Sequence, residues 1–375
     1  MLVAGAMLLT RSFNSLLDVP LNFEPEGVLT YEVHLPAARY TDHAARNRFF
    51  RQLQEQVAAR PGVEAVGATS WLPVNGRYHE WTMYWDAEGS EVSSNRESWV
   101  GTDVRIILGD YFGTLGIAVL RGDPPSEIDL KAEPVLWINQ RMAEEVFAEV
   151  DPIGQMAWLA GESRRIVGVA EDIPFSARGD VSRKSYVPHI QEDSRNWALI
   201  QTVKARGDLN QLRETIRAEL QQLDPNLVLY RPMSFSSVLA VVRAQDKFAT
   251  LLMGAFALLA LALSVVGTYG LLSGSVAGRT REIGIRMALG ADAGSVRAMV
   301  LRYAARLTVS GVALGLAGAW LGSRWIQALL FGVEAGDPIS YAGAALVFVA
   351  VGAVASWIPA QRATHVDTMR ALASE

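Results

Sequence analysis

Three uncharged runs near the end of the chain constrain its fold more than any other feature. Phe248 to Ala277 is 30 residues long, Leu307 to Ser323 is 17 and Ile339 to Ala360 is 22, each without Asp, Glu, Lys or Arg. Crossing ~30 Å of hydrocarbon takes about 20 predominantly apolar residues, wound into a helix that satisfies its own backbone where water is absent. The shortest run is flanked by Arg302, Arg306 and Arg324, whose stems lie along apolar surface while their charges stay at the interface. The chain is therefore expected to be an integral membrane protein with complete spans at 246–277, 298–330 and 338–361. Met1 to Thr10 is also uncharged and runs into Arg11. Ten helical residues cover only about 15 Å, and the basic start and small-residue cleavage site of a signal peptide are missing. Residues 1–17 are read as the tail of a membrane helix that begins upstream of Met1.

Charge divides the chain in the same way. Residues 18–245 carry 23 Lys+Arg against 32 Asp+Glu, whereas the remainder carries 11 against 7. The middle reads as an acidic folded domain between basic-flanked spans, large enough to bury its own core. The loop 278–297 holds Arg279, Arg281, Arg286 and Arg297, and the tail 362–375 holds Arg362 and Arg370. The turn 331–338 has only Glu334 and Asp337. By the positive-inside rule, the loop and the tail face the cytoplasm, and the turn and the 18–245 domain face outward. The expected fold class is an α+β membrane protein: a helical bundle of three full spans and a partial N-terminal one, with a large mixed α/β outer domain.

Glycines recur at helix-packing spacing: Gly270, Gly274 and Gly278, then Gly311, Gly315, Gly318 and Gly322. Small residues four apart let helices approach closely in lipid, within one subunit or across a dimer seam. No ionisable residue lies well inside a span, which argues against an ion-coupled carrier or a polar pore. There is no cysteine, and the five histidines show no metal-binding spacing, so neither a disulfide nor a metal site is expected. No phosphate-binding GxxxxGK[ST] loop and no nucleophile elbow is present, so neither ATP binding by this chain nor enzymatic activity is expected. An acidic domain without a basic stripe excludes nucleic acid as a partner. Glu171-Asp172, which follows a strand, reads as a solvated loop rather than a catalytic pair.

Within the outer domain, the segment from Gly27 reads as a strand. Thr41–Arg60 reads as an amphipathic helix, with Ala45, Phe49, Leu53 and Val57 on one face. A second strand starts at Val63. The aromatic residues Trp71, Tyr78, Trp81, Tyr84, Trp85 and Trp99 suit core and edge positions of strands better than a ligand-stacking surface. A short helix from Tyr111 runs into a strand. Further strands are expected at Pro134–Ile138, Arg165–Ala170, Trp197–Val203 and Leu227–Tyr230, and helices at Asn139–Phe147 and Asp208–Leu223. No Gly or Pro interrupts the helical pattern from Ser234 to the second span, so one long helix from 234 to 277 is expected to project outward as a stalk.

One segment is specific. Arg279-Thr-Arg-Glu-Ile-Gly-Ile-Arg-Met-Ala-Leu-Gly-Ala291 is a basic amphipathic stretch directly after a span, suited either to anionic lipid or to docking a cytoplasmic protein. RTREIGIRMALGA resembles the cytoplasmic coupling segment of the FtsX-like permease family. VLTYEVHLPAARY, RPGVEAVGATSWLPVNG, DYFGTLGIAVLRG, INQRMAEEVF, DPIGQ and RIVGVAEDI are similar to the periplasmic core of MacB-type permeases. The tail IPAQRATHVDTMRAL is similar to the family's closing pattern, with Thr368 where proline is usual. The opening LVAGAMLLTRSF resembles the end of the helix that begins the second repeat of duplicated orphan permeases.

The resemblance implies a multi-pass bacterial inner-membrane protein with its large domain periplasmic. It would serve as the permease subunit of an ABC-type efflux system and work by mechanotransmission. A separate cytoplasmic ATPase, which alone would bind ATP, would dock on Arg279, Arg281, Glu282, Ile283, Gly284, Ile285, Arg286, Leu289 and Gly290. Membrane lipid, a second permease repeat or copy, and a periplasmic protein are the further partners implied. The alternatives are a signalling or scaffold protein that regulates a periplasmic partner, and an inactive fragment of a longer permease.

Overall fold

A computed structural model of the chain describes residues 1–74, 80–85, 99–125, 133–159, 161–176, 178–192, 197–278, 292–327 and 330–363. It divides into two compact units. One is Val19–Ala244; the other joins Met1–Asp18 to Gln245–Glu375.

The first unit contains a lobe built as two strand–helix–strand halves. Strand β1 (Val28–His34), helix α2 (His43–Ala58) and strand β2 (Val63–Thr69) form one half; β10 (Ala198–Ala205), α5 (Leu209–Leu223) and β11 (Tyr230–Ser234) form the other. The strands lie in the order β11-β1-β10-β2 and every neighbouring pair is antiparallel. That is the split βαβ arrangement of ferredoxin-like folds. Local chemistry accounts for both helices. Asp42 caps α2 by accepting the Ala45 N–H (2.5 Å), and Asp208 caps α5 by accepting that of Asn210 (2.8 Å), each satisfying an otherwise unpaired first-turn donor. Phe49, Phe50, Leu53 and Val57 of α2 and Ile216 and Leu220 of α5 are buried against Leu29, Tyr31, Val33, Val66, Ala68, Leu199 and Val203 of the sheet.

Between β2 and β10 the chain builds a second body. It comprises β3 (Glu80–Trp85), β4 (Trp99–Gly109), α3 (Tyr111–Leu115), β5 (Val119–Gly122), β6 (Val135–Asn139), α4 (Gln140–Val146), β7 (Met156–Leu159), β8 (Glu162–Ala170) and β9 (Lys184–Pro188). Strand β4 pairs with β3, β3 with β7, β7 with β8, β8 with β6, β6 with β9, and β9 back to β4. Six strands thus close into a small barrel, which removes exposed edges. Met83, Val104, Leu136, Ile138, Ala157, Leu159, Ile166 and Val187 form its core, joined by Met142 and Phe147. Strand β4 belongs to both bodies. Its start pairs with β3, its middle runs parallel to β9, and Ile107–Gly109 pairs with β2 of the lobe. Helix α3 lies flat on β2 at Gly67, where a Cβ would stand 2.6 Å from the Cα of Tyr111, and it ends on Gly116 in the left-handed conformation (φ 64°).

The second unit holds α1 (Leu2–Leu17), α7 (Ala244–Gly278), α8 (Ala293–Ile326) and α9 (Pro338–Ala363). Three of these, over Ala244–Ser275, Gly294–Trp325 and Pro338–Trp357, are long and apolar enough to cross a membrane. Helix α8 starts at Ala293, capped by Asp292, so residues 293–297 of the expected loop are its first turns.

Three expectations need correction. The helical stretch from 234 is two helices, α6 (Phe235–Val242) and α7, separated at Arg243. The 44-residue stalk helix therefore does not exist: Phe235 and Leu239 anchor α6 in the core of the outer domain. The last strand is Tyr230–Ser234 rather than Leu227–Tyr230, because Leu227 and Leu229 turn into the lobe core. Strands β7 and β9 were not foreseen, and β3 and β4 only as aromatic-bearing strand segments without bounds.

Candidate functional site

The segment expected to receive an ATPase, with Arg279, Arg281, Glu282, Ile283, Gly284, Ile285, Arg286, Leu289 and Gly290, lies outside the described residues. What is described are its two supports. Helix α7 runs into it, ending at Gly278, and Asp292 closes it by accepting the Gly294 N–H (3.1 Å) at the start of α8. The segment is thus bounded by two helix ends, each belonging to a span.

The expected packing glycines divide into two groups. Beta carbons built on Gly270, Gly274, Gly278 and Gly311 would meet nothing within 4 Å. Those on Gly315, Gly318 and Gly322 would meet Met1, at 3.0 Å for Gly318. Two contacts that the spacing did not single out are as close. A Cβ on Gly343 of α9 would lie 3.0 Å from the Met7 sulfur, and one on Gly352 would lie 2.7 Å from the Thr308 hydroxyl. Helices α1, α8 and α9 therefore approach through glycine. A cavity of about 300 Å³ lies among the four helices, lined by Ser264, Thr268, Thr308, Gly311, Ala344 and Phe348 among others. At the other end of these helices, α1 is tied to the α8–α9 turn. Arg11 pairs with Asp337, and the Ser12 hydroxyl accepts the Phe331 N–H (2.7 Å). Asp337 also caps α9 through Ser340 (2.8 Å to its N–H). The Ser340 hydroxyl and N–H, with Arg11, hold the Asp337 carboxyl down at about 2.

In the outer domain the unforeseen feature is a buried polar network on the outer face of the barrel. Asp103, Arg105 and Lys184 are all at most 1% exposed. Arg105 donates to Asp103 (2.7 Å), and the Lys184 ammonium donates to the Ile173 carbonyl (2.8 Å) and the Ser182 hydroxyl (3.2 Å). Asn139 uses all of its hydrogen-bonding capacity. Its amide donates to Asp172 (2.5 Å) and the Ser182 carbonyl (2.9 Å), and its oxygen accepts from the N–H groups of Lys184 (2.7 Å) and Met142 (3.2 Å). Asp172 also caps α4 by accepting the Arg141 N–H (3.0 Å). This half-buried carboxylate is a structural tie, where the sequence reads as a solvated loop. Burial lowers the Lys184 ammonium to about 8, with Asp103 pulling it back up. Each group here is held by neighbours in the fold, so the network fixes β4, β6 and β9 rather than presenting reactive groups. The histidines are less scattered than their spacing suggests: His189 Nδ1 donates to Asn47 Oδ1 (2.5 Å), and His43 Nε2 donates to the Ile190 carbonyl (3.0 Å).

A mixed α/β domain placed in sequence between a first apolar helix and three helices long and apolar enough to cross a membrane, with an arginine-rich segment after the first of the three, defines a membrane protein with a large inserted domain. Residues 11–223 match the family described as MacB-like periplasmic core domain, and residues 254–368 match the FtsX-like permease C-terminal family. The first match covers more than half of the chain, and the protein belongs to the FtsX-like and MacB-like ABC transporter permeases. It is 27% identical over 282 residues to the macrolide export ATP-binding/permease protein MacB of Escherichia coli K12, covering 72% of this chain and 43% of that protein. The chain thus spans less than half the length of such relatives. It is 27% identical over 325 residues to the uncharacterized ABC transporter permease YknZ of Bacillus subtilis, covering 84% of this chain and 76% of that one. Among solved structures it is similar to the periplasmic region of MacB from Actinobacillus actinomycetemcomitans. That likeness has a TM-score of 0.39 at 12% identity, over 59% of this chain and 94% of the other.

Proposed function

We propose that this chain is the permease subunit of an ABC-type export system, coupled to a separate cytoplasmic ATPase and acting by mechanotransmission. The observation that carries the reading is the arginine-rich segment 279–291 at the junction of two long membrane helices. Closure of an ATPase dimer would displace this segment and with it the end of α7. A helix of 35 residues is about 52 Å long, enough to carry that displacement across the bilayer to residue 244, where the outer domain begins. Interhelical contacts through glycine on α8 and α9 provide a frame against which α7 moves. In this reading the outer domain lies in the periplasm, the membrane is the bacterial inner membrane, and substrate is handled on the outer side rather than through a polar pore. A ligand or nucleotide shifts such an equilibrium only by binding one arrangement better than the other.

The test is co-purification from membranes with candidate ATPase subunits, comparing the wild type with a Glu282→Arg, Arg286→Glu double variant. Retention of an ATPase by the wild type and its loss from the variant is the expected result. A wild-type chain that is folded and inserted but retains no ATPase sinks the reading.

A further inference from the structure

The end of α8 away from the arginine-rich segment carries Trp320, Leu321, Arg324 and Trp325, positions that share one stripe of a helix. Trp320 is 53% exposed, Leu321 63% and Trp325 90%. The apolar span ends at Trp325, so this stripe sits where hydrocarbon gives way to headgroups. The Arg324 guanidinium lies 5.5 Å from the centre of the Trp320 ring, within cation–π range. Arg324 makes no ion pair among the described residues, whereas Arg11 of α1 is paired with Asp337. An exposed guanidinium held over an indole, without an acid among the described residues, is a cation in want of an anion.

We propose that Trp320, Arg324 and Trp325 form a binding site for the phosphodiester headgroup of a phospholipid in the leaflet opposite segment 279–291. The planar fork of Arg324 matches two phosphate oxygens at once. Trp320 fixes the orientation of that fork. Trp325, with an apolar ring and an N–H donor, suits the carbonyl and glycerol region in which tryptophans collect. Leu321 extends the stripe toward the acyl chains. An anionic phospholipid adds the attraction of its net charge to one arginine at the surface. The site does not depend on the chain's coupling to an ATPase.

The experiment uses the full chain in detergent micelles doped with dioleoyl phosphatidylglycerol or with dioleoylglycerol, which has the same tails and no phosphate, and counts retained lipids by native mass spectrometry. Wild type is expected to retain phosphatidylglycerol in preference to dioleoylglycerol. Arg324→Gln should weaken that retention about fivefold. Arg324→Lys, which keeps the charge but loses the planar fork, should fall between them, and Trp320→Leu should weaken retention as well. Excess inorganic phosphate should not displace the lipid. The proposal is overturned if Arg324→Gln retains the lipid as the wild type does, or if both lipids are held equally. Displacement by free phosphate overturns it too, because the site would then serve a soluble anion. Unchanged helical circular dichroism and melting of the membrane helices in the detergent-solubilised full chain report that each variant is folded.

Discussion

At the residue scale, Lys184 gives this protein a distinctive pH dependence. Its ammonium is lowered by burial to about 8 in the folded chain, against about 10.4 when unfolded. Between those values the unfolded chain holds a proton that the folded chain has released, so this group makes stability rise with pH across that window, by no more than roughly 3 kcal/mol. Tyr31, Tyr111 and Tyr186 are pushed up by burial and act in the opposite sense once the unfolded tyrosines ionise near pH 10. Urea unfolding compared at pH 8 and pH 9.5 isolates the lysine. The wild type should gain stability between them, and Lys184→Met should show no gain. A wild type whose stability is flat over that interval would show that the ammonium is not lowered. Asn139 offers a second test. Replacing it by alanine leaves the Lys184 and Met142 N–H groups and the Ser182 carbonyl without a partner, and removes one of the two donors to Asp172. The expected cost is about 3 kcal/mol, read from the shift of the same urea transition; a loss under ~1 kcal/mol would mean that water replaces the amide freely.

At the element scale, α7 and α9 differ in how they use glycine, and the difference is measurable. A side chain at Gly352 would collide with Thr308, whereas one at Gly274 would enter open space. Gly352→Val should lower the melting temperature of the detergent-solubilised protein, with an overpacking cost of about 1–3 kcal/mol. Gly274→Val should leave it nearly unchanged. Equal effects would show that Gly274 is also a close contact. The spacing of small residues made Gly270, Gly274 and Gly278 conspicuous, yet Gly343 and Gly352 make closer contacts, because a close approach depends on a partner helix that periodicity does not reveal. The same limit explains the strands. Helices α2 and α5 were legible because one face is apolar, the other is polar, and an aspartate marks the start. Strands β4 and β9 were not, because both of their faces are buried, and Asp103, Arg105 and Lys184 interrupt the alternation that would mark a strand. Their parallel pairing joins residues about eighty positions apart, which no local pattern encodes. The break at Arg243 was hidden for a different reason: apolar residues that enter a protein core and apolar residues that enter lipid look alike in sequence. The arginine-rich segment 279–291, by contrast, is conspicuous in the sequence because its pattern is local, and it lies outside the described residues.

At the scale of the whole molecule, the chain passes between its two compact units twice, after Asp18 and after Ala244, so the outer domain is one continuous stretch of sequence. Its lobe is completed by β1 near one end of that stretch and by β11 and α6 near the other, so neither end leaves an unfinished sheet. Its barrel closes on itself through the pairing of β4 with β9. Its largest buried side chains, Trp137, Tyr111, Tyr186 and Phe235 among them, find their partners within residues 19–244. A body of this size, with its barrel closed and its core clusters formed from its own residues, should fold without the membrane helices. Residues 19–244 expressed alone are therefore expected to be soluble and to unfold in one cooperative urea transition. Asn139→Ala should shift that transition as it does in the full chain. Val228, 73% exposed, and Val241, 65% exposed at the end of α6, are where the excised domain would stick to detergent or to itself, and replacing both by serine should reduce such association without altering the transition. If the excised domain is instead insoluble, or soluble with non-cooperative unfolding, then the membrane helices supply part of its stability. The outer domain could then not change shape independently of them, and a model in which α7 moves it as a self-contained body would have to be abandoned.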